Sequence, residues 1–203
     1  MTAFERLFVP DAFREAVAER AWLDAMLDAR LQEIAPQDDF NLAAFHAFAN
    51  ESEGARLRLA ARIAAGGHDL DQADAHAPAG MALALTRLLS ELPLRAGSAP
   101  TLIPSDVASR HGASGADFDV RHASPGVIAA CAELRALARE QLAEAERRLK
   151  DSGPAILPAF VPLAPLRLDL DRLDRNSGRP FDAAGEVSAL RRQWAIWKWA
   201  RTR

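Results

Sequence analysis

The sequence predicts an all-α fold on three observations. About one of its 203 residues in five is Ala, Leu is frequent and Tyr is absent, which favours helix over strand. Apolar residues recur at three- and four-residue steps, the period of a helix, and no segment alternates as a half-buried strand does. With 49% hydrophobic and 26% charged residues, we expect one folded domain over residues 1–203.

Proline, glycine and polar caps divide the first half of the chain into helices. The first is expected over residues 10–34, because Pro and Asp suit its entry and an apolar stripe follows. The second is expected over residues 41–65, with Asn41 as its N-cap and a Gly pair as its end. The third, rich in Ala and Leu, is expected over residues 71–92 and stops before Pro93.

The second half continues in the same way. Ser124 as N-cap and Pro125 at the first helical position mark the clearest helix start, and an apolar stripe follows them. The Pro-rich stretch beyond is expected to be a kinked helix. The segments expected here are residues 105–110, 124–150, 154–168 leading into 167–175, and 186–201.

Charge and cysteine content exclude several classes of protein. A net charge of −3 and a pI of about 6.0 argue against a nucleic-acid binder, which should carry a basic excess. The single cysteine, Cys131, excludes a disulfide scaffold or a Cys-based zinc site, and we expect it to be buried and inert. No signal peptide or spanning segment is found, so we expect a cytoplasmic protein.

Three acidic groupings bear on metal chemistry. Asp24 and Asp28, four residues apart on one helical face, have the spacing to share Mg²⁺, but we favour two solvent-facing carboxylates. The second grouping is interpreted as the acid-rich start of the third helix and consists of His68, Asp69, Asp71, Asp74 and His76. The third is interpreted as an exposed, salt-bridged helix face and consists of Asp169, Asp171 and Asp174 with Arg167, Arg172 and Arg175.

The last expected helix is basic and carries three Trp. One face is expected to pack into the core, and its apolar members are Leu190, Trp194 and Trp197. Trp199 points away from that face and is the candidate for contact with a partner or a lipid, with Lys198 and Arg201 beside it.

Several blocks resemble the squalene/phytoene synthase family, in order and over nearly the whole chain. The central one, GMALALTRLLSE at residues 80–91, resembles that family's G-x-A-x-Q-L-T-N-I-L-R-D segment. The stretch LIPSD followed by His-Gly is similar to its YLP-x-D segment. The blocks that resemble the family are residues 28–30, 45–52, 80–91, 102–106, 111–112, 156–160 and 190–197.

The resemblance implies an isoprenoid synthase-like helical fold and head-to-head condensation of two prenyl diphosphates. That chemistry uses two D-x-x-x-D motifs that face each other across a cavity and hold Mg²⁺. The chain is expected to be truncated at its N-terminus, since it begins after the helices that bear the first motif. Asp24 and Asp28 spell such a motif, but they fall in a later stretch of the family pattern.

The second motif departs from the family at its acidic positions. Glu91 stands where the first Asp would be, Arg95 stands at the second, and Pro93 is expected to interrupt the turn between them. An arginine in place of a metal-binding carboxylate repels Mg²⁺. Arg95 and Arg87, which replaces the family's Asn, are instead candidates for binding a phosphate directly.

The pattern T-x-L-L-x-x-L-P followed by LIP-x-D is most similar to the non-catalytic branch of the family, which includes a mitochondrial assembly factor for respiratory complex I. The resemblance therefore implies an inactive binding or assembly module without cofactor, possible contact with the inner membrane, and a protein partner or a homodimer. The alternative is an Mg²⁺-dependent prenyltransferase or prenyl-diphosphate binder that uses Asp24, Asp28 and Glu91. A third is a helical protein that keeps only the fold.

Overall fold

The computed structural model describes residues 20–32, 40–66, 74–97, 102–183 and 185–202. Helices make up 77% of these residues and no strand occurs among them, so the all-α prediction is confirmed. The helices are α1 (Arg20–Gln32), α2 (Leu42–Ala49), a π-helical segment (Asn50–Gly54), α3 (Ala55–Ala64), α4 (His76–Arg95), α5 (Ser105–Arg110), α6 (Gly115–Asp119), α7 (Pro125–Lys150), a 3₁₀ segment (Pro154–Leu163), α8 (Leu166–Arg175) and α9 (Ala189–Thr202).

The helix expected over residues 41–65 is present with its caps. The Ala44 amide donates to the Asn41 side chain over 2.9 Å, and Gly66 ends the run at φ +74°. Its centre was not foreseen: Asn50–Gly54 winds as a π-helix between α2 and α3, which rotates the residues after it relative to a regular helix. Ser52, Glu53 and Gly54 are all buried as a result.

Helix α4 lies at the centre of the fold, where it packs against α7, α3, α8 and the π segment. It begins at His76 rather than at Asp71, because residues 74–75 form a turn. It also continues through Pro93 to Arg95, so the expected stop is wrong. Pro93 lies in the last turn, where its missing amide removes one bond, and the Ala96 amide still donates to the Leu92 carbonyl over 3.1 Å.

Helix α7 runs along α4 and confirms the start signal in the sequence. The Val127 amide donates to Ser124 Oγ over 3.2 Å, and Pro125 occupies the first turn, where no amide is needed. The apolar stripe of α7 is buried, Cys131 among it. Burial raises the pKa of the Cys131 thiol to about 11, so the thiolate is scarce near neutral pH and the expectation of an inert cysteine is supported.

The Pro-rich stretch is a 3₁₀ helix rather than a kinked α-helix. Pro158 and Pro162 lack the amides that an α-helix would bond four residues back, and their rings would clash with those carbonyls. The bonds observed span three residues instead, as between the Ala164 amide and the Val161 carbonyl at 3.0 Å. The chain then enters α8, while α9 begins at Ala189, three residues after the start expected from the sequence.

The π segment and α4 approach each other closely at Gly54 and Gly80. A Cβ atom at Gly80 would lie 2.6 Å from the Gly54 nitrogen and 2.8 Å from its Cα, distances that real Cβ atoms do not reach. The atoms in the way belong to backbone and not to a flexible side chain. The π segment and α4 can therefore pack at this separation only with glycine at position 80.

Gly80→Ala should destabilise the protein by about 2 kcal/mol, because the methyl group forces two buried helices apart. This loss should exceed the roughly 1 kcal/mol that Ala gains over Gly in a helix. Urea unfolding followed by circular dichroism measures the change.

Gly115→Ala is the matched control, since Gly115 is also helical and a Cβ there meets nothing within 4 Å. An equal effect of the two substitutions would contradict the proposed role of the close contact.

Candidate functional site

A buried carboxylate surrounded by arginines lies between the π segment and α4. Glu53 is 5% exposed. Its Oε1 atom is 3.2 Å from Arg30 Nη2 on α1 and 3.5 Å from Arg87 Nη1 on α4, and Arg56 pairs with its Oε2 atom. Glu53 therefore joins three helices through charge, and it can do so because the π segment turns its side chain inward.

Glu91 extends this cluster along α4. Arg87 Nε donates to Glu91 Oε1 over 2.8 Å, and Arg95 Nη1 donates to Glu91 Oε2 over 3.2 Å. Both oxygens of the carboxylate are thus bonded to guanidinium groups. Because α4 continues through Pro93, Arg95 lies one helical turn beyond Glu91, in the geometry that the second D-x-x-x-D motif would have.

The cluster has the wrong charge for a divalent metal site. Among the described residues, two carboxylates, Glu53 and Glu91, lie together with four guanidiniums, and these six groups sum to a charge of +2. Mg²⁺ needs oxygen ligands and is repelled by these cations. Within the described part of the chain, no group of three or more His, Cys, Asp or Glu side chains could hold a metal ion. These six described residues do not fit Mg²⁺. We refer to Arg30, Glu53, Arg56, Arg87, Glu91 and Arg95 as the arginine–glutamate cluster.

The space beside the cluster is nearly filled. The cavity there has a volume of about 20 Å³, which is room for about one ordered water molecule. Phe45, Phe48 and Leu88 form its apolar wall, and Phe45 and Phe48 are themselves buried ring against ring.

Asp24 and Asp28 lie on α1 and are both exposed. Arg30, two residues after Asp28, points to Glu53, and two residues turn a helix by about 200°. The two carboxylates therefore face away from the arginine–glutamate cluster. The interpretation of this pair as solvent-facing is confirmed.

The second acidic grouping is only partly within the described residues, since His68, Asp69 and Asp71 lie outside them. Asp74 is exposed and precedes α4. His76 is buried at the first turn of α4, where its Nε2 atom is 2.6 Å from Arg58 Nη2. These two residues do not form a shared site.

The third grouping corrects one expectation. Asp171 and Asp174 are partly exposed and pair with Arg139, as a salt-bridged face should. Asp169, in contrast, is buried at 7% exposure and accepts both arms of the Arg192 guanidinium, at 2.6 and 3.1 Å. No local sequence pattern indicates this pair, because it joins two different helices, α8 and α9.

The Arg192–Asp169 pair determines which face of α9 points inward. The inward and outward faces are the opposite of those expected from the sequence. Trp199 lies on the same face as Arg192 and packs partly buried against the core. The residues expected in the core are instead exposed, by 79% at Leu190, 62% at Trp194 and 47% at Trp197. Trp199 is therefore not the outward-facing tryptophan, whereas Lys198 and Arg201 are exposed as expected.

A second cavity, of about 260 Å³, lies between α4, α7 and α8. Arg135 on its wall is 8% exposed and donates Nε to Asp174 over 3.1 Å, while Arg172 donates to Ser90 Oγ over 2.9 Å. No sequence signal marked Arg135, which sits in the apolar stripe of α7. The Asp182 and Glu186 side chains at the same cavity offset its positive charge.

Glu53→Gln should destabilise the protein by about 2 kcal/mol, because three guanidiniums lose their shared carboxylate. The expected loss is smaller than the roughly 3–5 kcal/mol that is lost when a fully buried ion pair is broken, since the arginines are partly exposed to water. Urea unfolding gives the free energy. Glu51→Gln changes an exposed carboxylate of the same segment and should be nearly neutral. Equal, small effects would contradict a structural role for Glu53.

No curated protein and no solved structure significantly matches the chain. The sequence model of a family described as squalene/phytoene synthase matches residues 8–197, a range that contains the whole arginine–glutamate cluster and most of α9. The described helices agree with the all-helical fold of such proteins, and no described helix combines the length and apolarity needed to cross a membrane. The chain belongs to the squalene/phytoene synthase family.

Proposed function

We propose that this protein is a catalytically inactive member of its family that acts as a binding or assembly accessory module. The observation that carries the proposal is the state of Glu91: arginines bond to both of its oxygens, and one of them, Arg95, occupies the second acidic position of the motif. The carboxylate pair that would hold a metal is thereby replaced by an internal ion-pair network.

The chemistry of the family explains why this substitution matters. Ionisation of a prenyl diphosphate needs metal ions that bridge protein carboxylates and the leaving group. To reach Glu91, Mg²⁺ would have to displace Arg87 or Arg95 and then remain beside them. The cavity of about 20 Å³ also leaves no room for a prenyl chain at this place in the described residues.

Arg87 and Arg95 support a different role for the same surface. A guanidinium binds phosphate oxygens with two parallel hydrogen bonds and needs no metal. Both side chains are partly accessible, at 39% and 21%. We therefore include in the proposal that they bind a phosphate group directly, by exchange with Glu91.

The alternative is an Mg²⁺-dependent prenyltransferase or prenyl-diphosphate binder that uses Asp24, Asp28 and Glu91. Membership of the family favours it. Against it, the two aspartates face away from the arginine–glutamate cluster, because Arg30 on the same helix is the residue that reaches Glu53. One assay separates the two proposals.

Incubation with farnesyl or geranylgeranyl diphosphate and Mg²⁺ should release no pyrophosphate and yield no condensed product, since Glu91 is bonded to arginines and Arg95 stands at the second acidic position of the motif. A coupled phosphate assay and extraction of the lipid products measure both. An active family member serves as the positive control. Turnover that disappears in Asp24→Ala, Asp28→Ala or Glu91→Gln would establish the alternative.

The assembly role that we propose follows from the similarity to the non-catalytic branch and concerns respiratory complex I. Deletion of the gene should lower NADH dehydrogenase activity in isolated membranes. Expression of the Asp24→Ala/Asp28→Ala variant should restore the activity as fully as the unchanged chain, because no catalytic carboxylate is required. Normal activity after deletion would refute this role, and rescue only by the unchanged chain would favour the enzyme.

A further inference from the structure

Three apolar side chains of α9 form a strip that projects from the protein. Leu190, Trp194 and Trp197 follow one another at four- and three-residue steps and are largely exposed. The two indole rings stack with their centroids 4.8 Å apart and an interplanar angle of 24°. The Arg201 guanidinium lies 4.7 Å from the centroid of the Trp197 ring. The strip is thus an ordered surface of stacked aromatic groups.

The opposite face of α9 is held to the body of the protein. Arg192 forms its two-armed bond with buried Asp169, and Trp199, two turns further along the helix, packs against the core. These contacts fix the rotation of the helix about its axis. The strip therefore cannot turn inward without breaking a buried ion pair.

The flank of α9 borders a groove of about 1110 Å³ with a strong excess of positive charge. The charged residues that line it are Glu146, Arg147, Lys150, Arg167, Arg191 and Lys198. Arg167 pairs with Glu146 and Arg147 with Glu144, whereas Lys150, Arg191 and Lys198 form no ion pair within the described part of the chain. Helix α9 itself contains no acidic residue.

We propose that the strip and the groove together dock the protein on a membrane surface rich in anionic phospholipid. Indole rings are suited to the boundary between headgroups and acyl chains, because they combine an apolar body with a polar N–H. The uncompensated cations beside them complement lipid phosphates. The inference does not rest on the proposed function, since no residue of the arginine–glutamate cluster takes part.

Charge disfavours a second copy of the chain as the occupant. A two-fold interface through α9 would bring Arg191, Lys198 and Arg201 of both copies together without an acidic partner on the helix. An anionic lipid surface meets the same cations with opposite charge. The cations and the aromatic rings therefore both favour an anionic membrane, rather than a second copy of the chain, as the binding partner of this surface.

Vesicle flotation tests the proposal with the whole protein. Binding should require phosphatidylglycerol in the vesicles, should be absent with phosphatidylcholine alone, and should weaken as salt is raised. Tryptophan emission should shift to shorter wavelength when the mixed vesicles are added, as exposed indoles enter the interface. Absence of binding to the mixed vesicles would overturn the proposal.

Two pairs of substitutions locate the surface. Trp194→Ser with Trp197→Ser should lower partitioning roughly tenfold and abolish most of the emission shift. Arg191→Gln with Lys198→Gln should lower it roughly 30-fold at low salt. All four side chains are exposed, so the variants should keep the circular dichroism spectrum and unfolding midpoint of the parent.

The matched controls are Leu94→Ser, which removes an exposed apolar side chain on α4, and Arg175→Gln, which removes an exposed cation at the C-terminal end of α8. Neither should change vesicle binding. Partitioning that is unaffected by either α9 pair, or that falls equally in the controls, would refute the assigned surface. A concentration-dependent dimer that the Trp variants dissociate would refute it in favour of a second copy.

Discussion

The separation of α4 from the π segment is the constraint on which the rest of the structure depends. At Gly80 the two backbones approach so closely that a single methyl group has no space. This close contact holds the π segment against α4. Because the residues of the π segment turn inward, the Glu53 carboxylate then lies within reach of Arg87. A backbone contact thereby determines where the charges of the arginine–glutamate cluster meet.

In the arginine–glutamate cluster, internal ion pairs occupy the position of the second acidic motif. Glu91 and Arg95 keep the one-turn spacing of a metal-binding motif, but the change of sign at position 95 turns the second residue from a ligand into a partner of the first. Arg30, Arg56 and Arg87 supply the charge that bound metal would otherwise provide. The network links the π segment to α1, α3 and α4.

Local sequence signals predicted what depends on local bonding. The caps at Asn41 and Ser124 appear as expected, because such bonds close within three residues. The π segment, the inward face of α9 and the 3₁₀ winding of residues 154–163 were not predicted. Asp169, a residue of another helix, determines which face of α9 points inward. A helical wheel of α9 alone does not show which of its two apolar faces has a buried partner. For the same reason the charges at Glu91 and Arg95 were visible in the sequence, but their link to Glu53 was not.

The central claim is that arginines have replaced the metal at Glu91, and a binding titration tests it most directly. Calorimetry with a non-hydrolysable farnesyl diphosphate analogue, with and without Mg²⁺, measures whether the metal takes part in binding. We predict that Mg²⁺ does not increase the affinity for the analogue. We also predict that Glu91→Gln does not reduce this affinity. Saturable binding that requires Mg²⁺ and is lost in Glu91→Gln would contradict the account.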